Sequence, residues 1–207
     1  MSARKRVAIL ISGRGSNMAA LIEAATEPDF PAEIALVVSN RPDAKGLAFA
    51  QARDIATAVV DHRAFPSRET FEDALAAKLR AASIDIVCLA GFLRMLTARF
   101  VEPWRGRMLN IHPSLLPEFK GLDTHARALA AGAKIHGCTV HFVVPELDSG
   151  PIVLQARVPV VEGDDEDSLA ERVLSAEHRI YPAALKLVAE GKVTVDAPAV
   201  GAPARPR

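Results

Sequence analysis

The stretch RMLNIHPSLLP, residues 107 to 117, places an amide and an imidazole two residues apart, Asn110 and His112, on an apolar run that breaks at His112-Pro113. Side chains two apart on a strand share a face, so this pair is expected to point together. An amide N–H stabilises an oxyanion and an imidazole moves a proton near neutral pH, which suits acyl chemistry. A strand end whose histidine is hydrogen-bonded in the core is the competing reading, and for the pair alone it comes first. Asp148, in PELDSGP, is the candidate third group. A carboxylate beside the imidazole would favour its charged form, yet Asp-Ser-Gly before Pro is also turn chemistry in its own right. Spacing leaves both readings open.

A second candidate site is SGRGSN, residues 12 to 17, between an apolar run at Val7–Ile11 and apolar positions at Met18, Leu21, Ile22 and Ala25. Those positions share one helical face. The loop therefore opens a helix whose unpaired N–H groups and dipole suit an anion. It is neither GxGxxG nor a P-loop, and a plain tight turn is the alternative. Arg68 and Arg94 are candidate anion ligands, the second because it follows a strand end in GFLR; an arginine chosen blind is normally solvated. Glu177 falls in the last helix, where a solvated charge is the ordinary reading. His141 is expected to pack or hydrogen-bond within its strand, one face of which could reach the site. The six histidines include no HExxH and no zinc spacing with cysteine, so no metal is expected. No GxSxG elbow supports a serine nucleophile, and Ser114 is read as capping a turn.

These residues need a frame that holds them together. Strands are expected at Val7–Ile11, Glu33–Ser39, about 56–60 and 85–90, with helices between them, one from about 44 to 53 and another capped by Ser67. Such β-α alternation implies a doubly wound, mostly parallel sheet with right-handed crossovers, α/β and Rossmann-like. Ligands then bind beyond the carboxyl ends of the strands, at Ser12–Asn17, Ser39–Arg41, Gly91–Arg94 and Asn110–His112. A short helix follows at about 124–131. Residues 136–144 and 152–160 then read as an antiparallel hairpin. GDDEDS, 163–168, suits a helix N-terminus, and Pro182 is expected to kink or interrupt that helix. One domain is expected over 1–195, followed by a disordered Ala/Pro-rich tail at 196–207.

The whole chain has 207 residues, half of them hydrophobic, and a formal net charge of zero. A neutral surface argues against nucleic acid and anionic membrane as partners. The apolar run near the N-terminus is too short for a signal peptide and no stretch matches a membrane span, so a soluble, cytoplasmic protein is expected. Cys88 and Cys138 lie in apolar runs and read as buried, reduced thiols.

SGRGSN, GFLRML, NIHPSLLPEFKG and VPELDSGPIVLQ, taken together, resemble the phosphoribosylglycinamide formyltransferases, a branch of the 10-formyltetrahydrofolate transferase family. The likeness runs in order from about Val7 to Val195. It implies formyl transfer from 10-formyltetrahydrofolate to the amine of 5-phosphoribosylglycinamide in purine biosynthesis, with Asn110, His112 and Asp148 catalytic. It further implies that Gly15, Ser16 and Asn17 bind the substrate phosphate and Glu177 the ribonucleotide. Arg68, Leu93, Arg94, Met95, Leu96, Asn110 and Val144 to Asp148 fall at folate-binding positions. The implied partners are small molecules, with the chain a monomer or homodimer. Asp123 departs from the histidine of many relatives, outside the catalytic trio. A formyltetrahydrofolate hydrolase would share the trio but is expected to carry an added N-terminal domain, and a methionyl-tRNA formyltransferase an added C-terminal one. A non-catalytic nucleotide-binding module is the alternative of a different class.

Overall fold

A computed structural model describes residues 3–196 of the chain. The tail expected at 196–207 lies outside the described residues apart from Asp196. Seven strands form one sheet: β1 (Lys5–Ile11), β2 (Ala32–Ser39), β3 (Thr57–Val59), β4 (Ile86–Leu89), β5 (Met108–His112), β6 (Ile135–Phe142) and β7 (Ile152–Pro159). Their order across the sheet is β3-β2-β1-β4-β5-β6-β7. Neighbours from β3 to β5 pair parallel, whereas β6 is antiparallel to both β5 and β7. The doubly wound sheet with its antiparallel hairpin is therefore present as expected.

Strands buried on both faces read as continuous apolar runs because each face meets a helical layer. In β1 every residue from Val7 to Ile11 is fully buried. Val7, Ile9 and Ile11 pack on one face with α1 (Ser16–Ala25), α2 (Gly46–Gln51) and α6 (Glu166–Ala189). Ala8 and Leu10 pack on the other with Phe71, Leu75 and Leu79 of α3 (Arg68–Ala81). Along β5 the same alternation sends Leu109 and Ile111 to the α1/α6 face and Met108 to the α3 face. Asn110 and His112 follow Met108.

Ser67 caps α3 as expected: its hydroxyl accepts from the Thr70 N–H in a reciprocal capping box. Pro182 does not interrupt α6, which runs unbroken through it. An interior proline costs roughly 3 kcal/mol. Here Tyr181, Ala184 and Leu185 are fully buried on either side of it, and the Tyr181 hydroxyl donates to the carbonyls of Leu89 and Leu109 at 3.0 and 3.2 Å. That burial outweighs one missing backbone bond. Two further short α-helices are α4 (Ala98–Val101), capped by Thr97, and α5 (Thr124–Ala130), and single 3-10 turns lie at His62–Ala64 and Glu102–Trp104. Among the described residues no helix is long and apolar enough to cross a membrane.

Candidate active site

The chain runs outward from β1 to β2 and β3, then returns on the other side of β1 to form β4. The ends of β1 and β4 therefore flank a switch point of the kind where open α/β sheets bind ligands. Leu10 stands level with Leu89, and Leu89 with Asn110. The residues after each strand thus share one rim.

On that rim Asn110 and His112 do point together. In the antiparallel ladder Asn110 lies opposite His141, and His112 opposite Thr139. The His112 Nδ1 faces Asp148 Oδ2 at 3.4 Å, while its Nε2 donates to the Phe119 carbonyl at 3.0 Å. Each ring nitrogen thus has an oxygen beside it, a carbonyl in hydrogen-bond contact and a carboxylate at ion-pair distance. Asp148 is held in turn by the Gly121 N–H, 2.9 Å from Oδ2. Its side chain is 7% exposed, and it takes a positive φ of 47°, a conformation aspartate tolerates better than most residues. Gly150 is required close by: a Cβ there would sit 1.8 Å from the Phe142 carbonyl oxygen.

His141 belongs to this centre rather than to its strand alone. Its Nδ1 lies 2.9 Å from the Phe142 carbonyl, which only accepts, so the proton is on Nδ1. Its Nε2 then accepts from Asn110 Nδ2 at 3.2 Å. Burial lowers the pKa of this ring, and Asp148, 3.7 Å from Nε2, opposes that shift only in part. A neutral His141 thereby fixes which way the Asn110 amide is turned and leaves the second N–H of that amide unclaimed by any described residue. The signal available in sequence was the pairing of a polar residue on β6 with Asn110, which needs the ladder register to be known.

SGRGSN turns as the loop reading required. Gly15 precedes α1 at φ 75°, a left-handed conformation open to glycine. Asn17 is buried, and its Nδ2 donates to Glu177 Oε2 at 2.7 Å, joining α1 to α6. Asn17 Oδ1 is buried without a partner among the described residues. Glu177 is not the solvated helix charge of the ordinary reading: it is buried, and desolvation raises its pKa. Ser114 closes its turn by donating to the Glu118 carbonyl at 2.6 Å.

Leu93 and Met95 after β4, Leu122 near Gly121, and Leu147 beside Asp148 are large apolar side chains at least half exposed. Such a group around a polar centre fits a ligand with a broad apolar face. Arg68, the exposed first residue of α3, and Arg94 make no hydrogen bond to the trio, and Val144 makes none either among the described residues. The thiols of Cys88 and Cys138 are buried, and desolvation pushes both up to about 12, so neither is a nucleophile. A cavity of about 450 Å³ lined by Arg80, Ile84, Trp104 and Arg107 opens at the opposite, amino-terminal end of β4 and β5, away from this chemistry.

Known proteins resemble the chain along most of its length. The formyl transferase family pattern matches residues 5–185. The chain is 46% identical over 187 residues to the phosphoribosylglycinamide formyltransferase of Escherichia coli K12, covering 90% of this chain and 88% of that protein. It is 52% identical over 190 residues to the human trifunctional purine biosynthetic protein adenosine-3. That match takes in 92% of this chain but only 19% of the human protein, so the chain spans about a fifth of that relative's length. Among solved structures, phosphoribosylglycinamide formyltransferase from Brucella melitensis aligns with a TM-score of 0.87 and 57% identity, covering 92% of this chain and 98% of that one. Glycinamide ribonucleotide transformylase 1 from Symbiobacterium toebii aligns with a TM-score of 0.90 at 46% identity, covering 92% and 90%. The chain belongs to the formyl transferase family.

Proposed function

We propose that the chain transfers the formyl group of 10-formyltetrahydrofolate to the amine of 5-phosphoribosylglycinamide, with Asn110, His112 and Asp148 as the catalytic residues. The observation that carries this reading is the approach of Asp148 to His112, with the Asn110 amide turned by His141 beside them, in a chain of this family. The amine attacks the formyl carbon to give a tetrahedral intermediate. The free Asn110 N–H hydrogen-bonds the new oxyanion and a protonated His112 supplies positive charge; donors of this kind contribute roughly 2.7–4 kcal/mol each in other acyl-transfer enzymes. Asp148 orients the imidazolium. The attacking amine loses a proton, N10 of the folate gains one and leaves, and the products are the formylated ribonucleotide and tetrahydrofolate. No covalent enzyme intermediate is needed.

In this reading Gly15, Ser16 and Asn17 take the phosphate at the start of α1, where backbone N–H groups lack helical partners. Glu177, an acceptor buried against Asn17, holds a donor group of the ribonucleotide. Leu93, Arg94, Met95 and Leu96, Arg68, Asn110 and residues 144–148 receive the folate, with the exposed leucines and Met95 covering its apolar ring system. The partners are these two small molecules, and the chain acts as a monomer or homodimer.

Incubation with 10-formyltetrahydrofolate, with and without the ribonucleotide, tests the proposal. Tetrahydrofolate is expected only when the amine is present. Release without amine would mark a hydrolase, and no release would leave a binding module. His112→Ala is expected to lower kcat by about 10²–10³-fold, the scale of one oxyanion-stabilising group, while both substrates still bind.

A further inference from the structure

We infer that Ser12, the first residue of SGRGSN, serves the folate side of the site rather than the phosphate side, as the positioning residue for the Gly91–Leu93 turn. This rests on the proposed placement of the folate against residues 91–96. Three contacts define the role. The Ser12 N–H donates to the Gly91 carbonyl at 3.0 Å. The Leu93 N–H donates to Ser12 Oγ at 2.8 Å. The Ser12 hydroxyl donates to Asn40 Oδ1 at 2.6 Å.

One residue at the end of β1 therefore holds both ends of the turn that follows β4, across the switch point of the sheet. Asn40, itself buried after β2, takes the hydroxyl proton and so directs an Oγ lone pair at Leu93. Ser12 is 4% exposed. Its only O–H is committed to Asn40, and nothing remains to donate to a phosphate oxygen. The turn it fixes needs fixing: residues 91 to 96 carry no regular hydrogen-bonded structure, and the Leu93 side chain is 72% exposed. The two halves of the site also lie on opposite faces of the sheet. Asn17 and Glu177 belong to the α1/α6 layer, whereas Phe92 and Leu96 pack with the α3 layer. Ser12 sits where the two layers meet.

The test is a comparison of KM values for both substrates in Ser12→Ala and Ser12→Thr, each first checked for cooperative thermal unfolding. Ser12→Ala is expected to raise KM for 10-formyltetrahydrofolate about tenfold and leave that for the ribonucleotide within about twofold, the scale of one net hydrogen bond. Ser12→Thr, which keeps the hydroxyl, is expected to restore the folate KM to within about threefold. The inference is overturned if the ribonucleotide KM rises instead, if neither changes, or if a folded Ser12→Thr behaves as Ser12→Ala. Leu93→Ala and Met95→Ala separate this from failure of the pocket assignment. If they leave the folate KM unchanged, the pocket is misplaced; if they raise it and Ser12→Ala does not, only the role of Ser12 fails.

Discussion

Replacing Asp148 with asparagine removes a charge while keeping the shape that holds it. The side chain is nearly closed off from solvent, and its Oδ2 receives the Gly121 N–H at 2.9 Å. An asparagine oxygen can accept that same bond, so the turn is expected to survive. What is lost is the carboxylate 3.4 Å from His112 Nδ1. Unit charges at that separation attract by about 5 kcal/mol at an effective dielectric constant of 20, before any desolvation cost is subtracted. A contact made to a charged group typically contributes about 1.5–3 kcal/mol net. If the transition state draws on this carboxylate, kcat should therefore fall by about 10–10²-fold. Single-turnover formyl transfer followed by rapid quench reads the chemical step. Titration of each substrate and a thermal melt show whether binding and fold are intact. A kcat within about threefold of the parent, with the variant folded, would sink the assignment of Asp148. A loss confined to folate binding would move Asp148 from the catalytic group to the pocket wall.

Other perturbations separate the parts of the molecule. Glu177→Ala strands the Asn17 amide, 2.7 Å away in the parent. It should raise the ribonucleotide KM by about 10- to 100-fold with little effect on the folate KM, the scale of a hydrogen bond to a charged group; equal changes in both would refute the placement of Glu177. Tyr181→Phe removes the one hydroxyl shared by the Leu89 and Leu109 carbonyls. Urea unfolding should show a loss of about 1–3 kcal/mol, and an unchanged midpoint would mean the hydroxyl contributes nothing to joining α6 to the sheet. His136 is 1% exposed, its Nε2 has no partner among the described residues, and burial lowers its pKa to about 4. Between the ordinary value near 6.5 and about 4, the unfolded chain binds a proton that the native ring refuses. Its contribution is therefore complete above pH 6.5 and falls as pH drops toward 4, by at most about 1.4 kcal/mol per pH unit. His136→Gln should flatten that part of a stability-against-pH curve, and a curve of the same steepness would refute the assignment.

The sheet was legible because its central parallel strands β1 and β4 are buried on both faces and are written as unbroken apolar runs, Val7–Ile11 and Ile86–Leu89. The cap of α3 was legible because Ser67 bonds locally. The continuity of α6 through Pro182 was not legible because local propensity cannot weigh Tyr181, Ala184 and Leu185, whose burial depends on strands far away in sequence. The helix α4 has four residues, too few for a period of 3.6 to appear. Within the site, Asn110 and His112 could be paired from their spacing. Glu177 looked like a surface charge because its partner, Asn17, lies 160 residues away. The Phe119 and Gly121 contacts come from the backbone, which leaves no mark in residue type.

The hardest contact to foresee is the one between Asp148 and His112. The rule that ligands gather beyond the carboxyl ends of strands serves β1, β4 and β5, which all run the same way. It fails for β6. Because β6 is antiparallel, its last residue, Phe142, pairs with Leu109, below Asn110 in the sheet, while Thr139 is level with His112. A loop leaving β6 thus starts on the wrong side of Asn110 and His112 and must double back to set Asp148 against the imidazole. Gly150 permits this by lying directly on the Phe142 carbonyl, and the left-handed turn at Asp148 completes it. The LDSGP sequence therefore makes a tight turn and sets a carboxylate against the imidazole at once. The two readings that spacing left open are not alternatives, since the tight turn is what delivers the carboxylate.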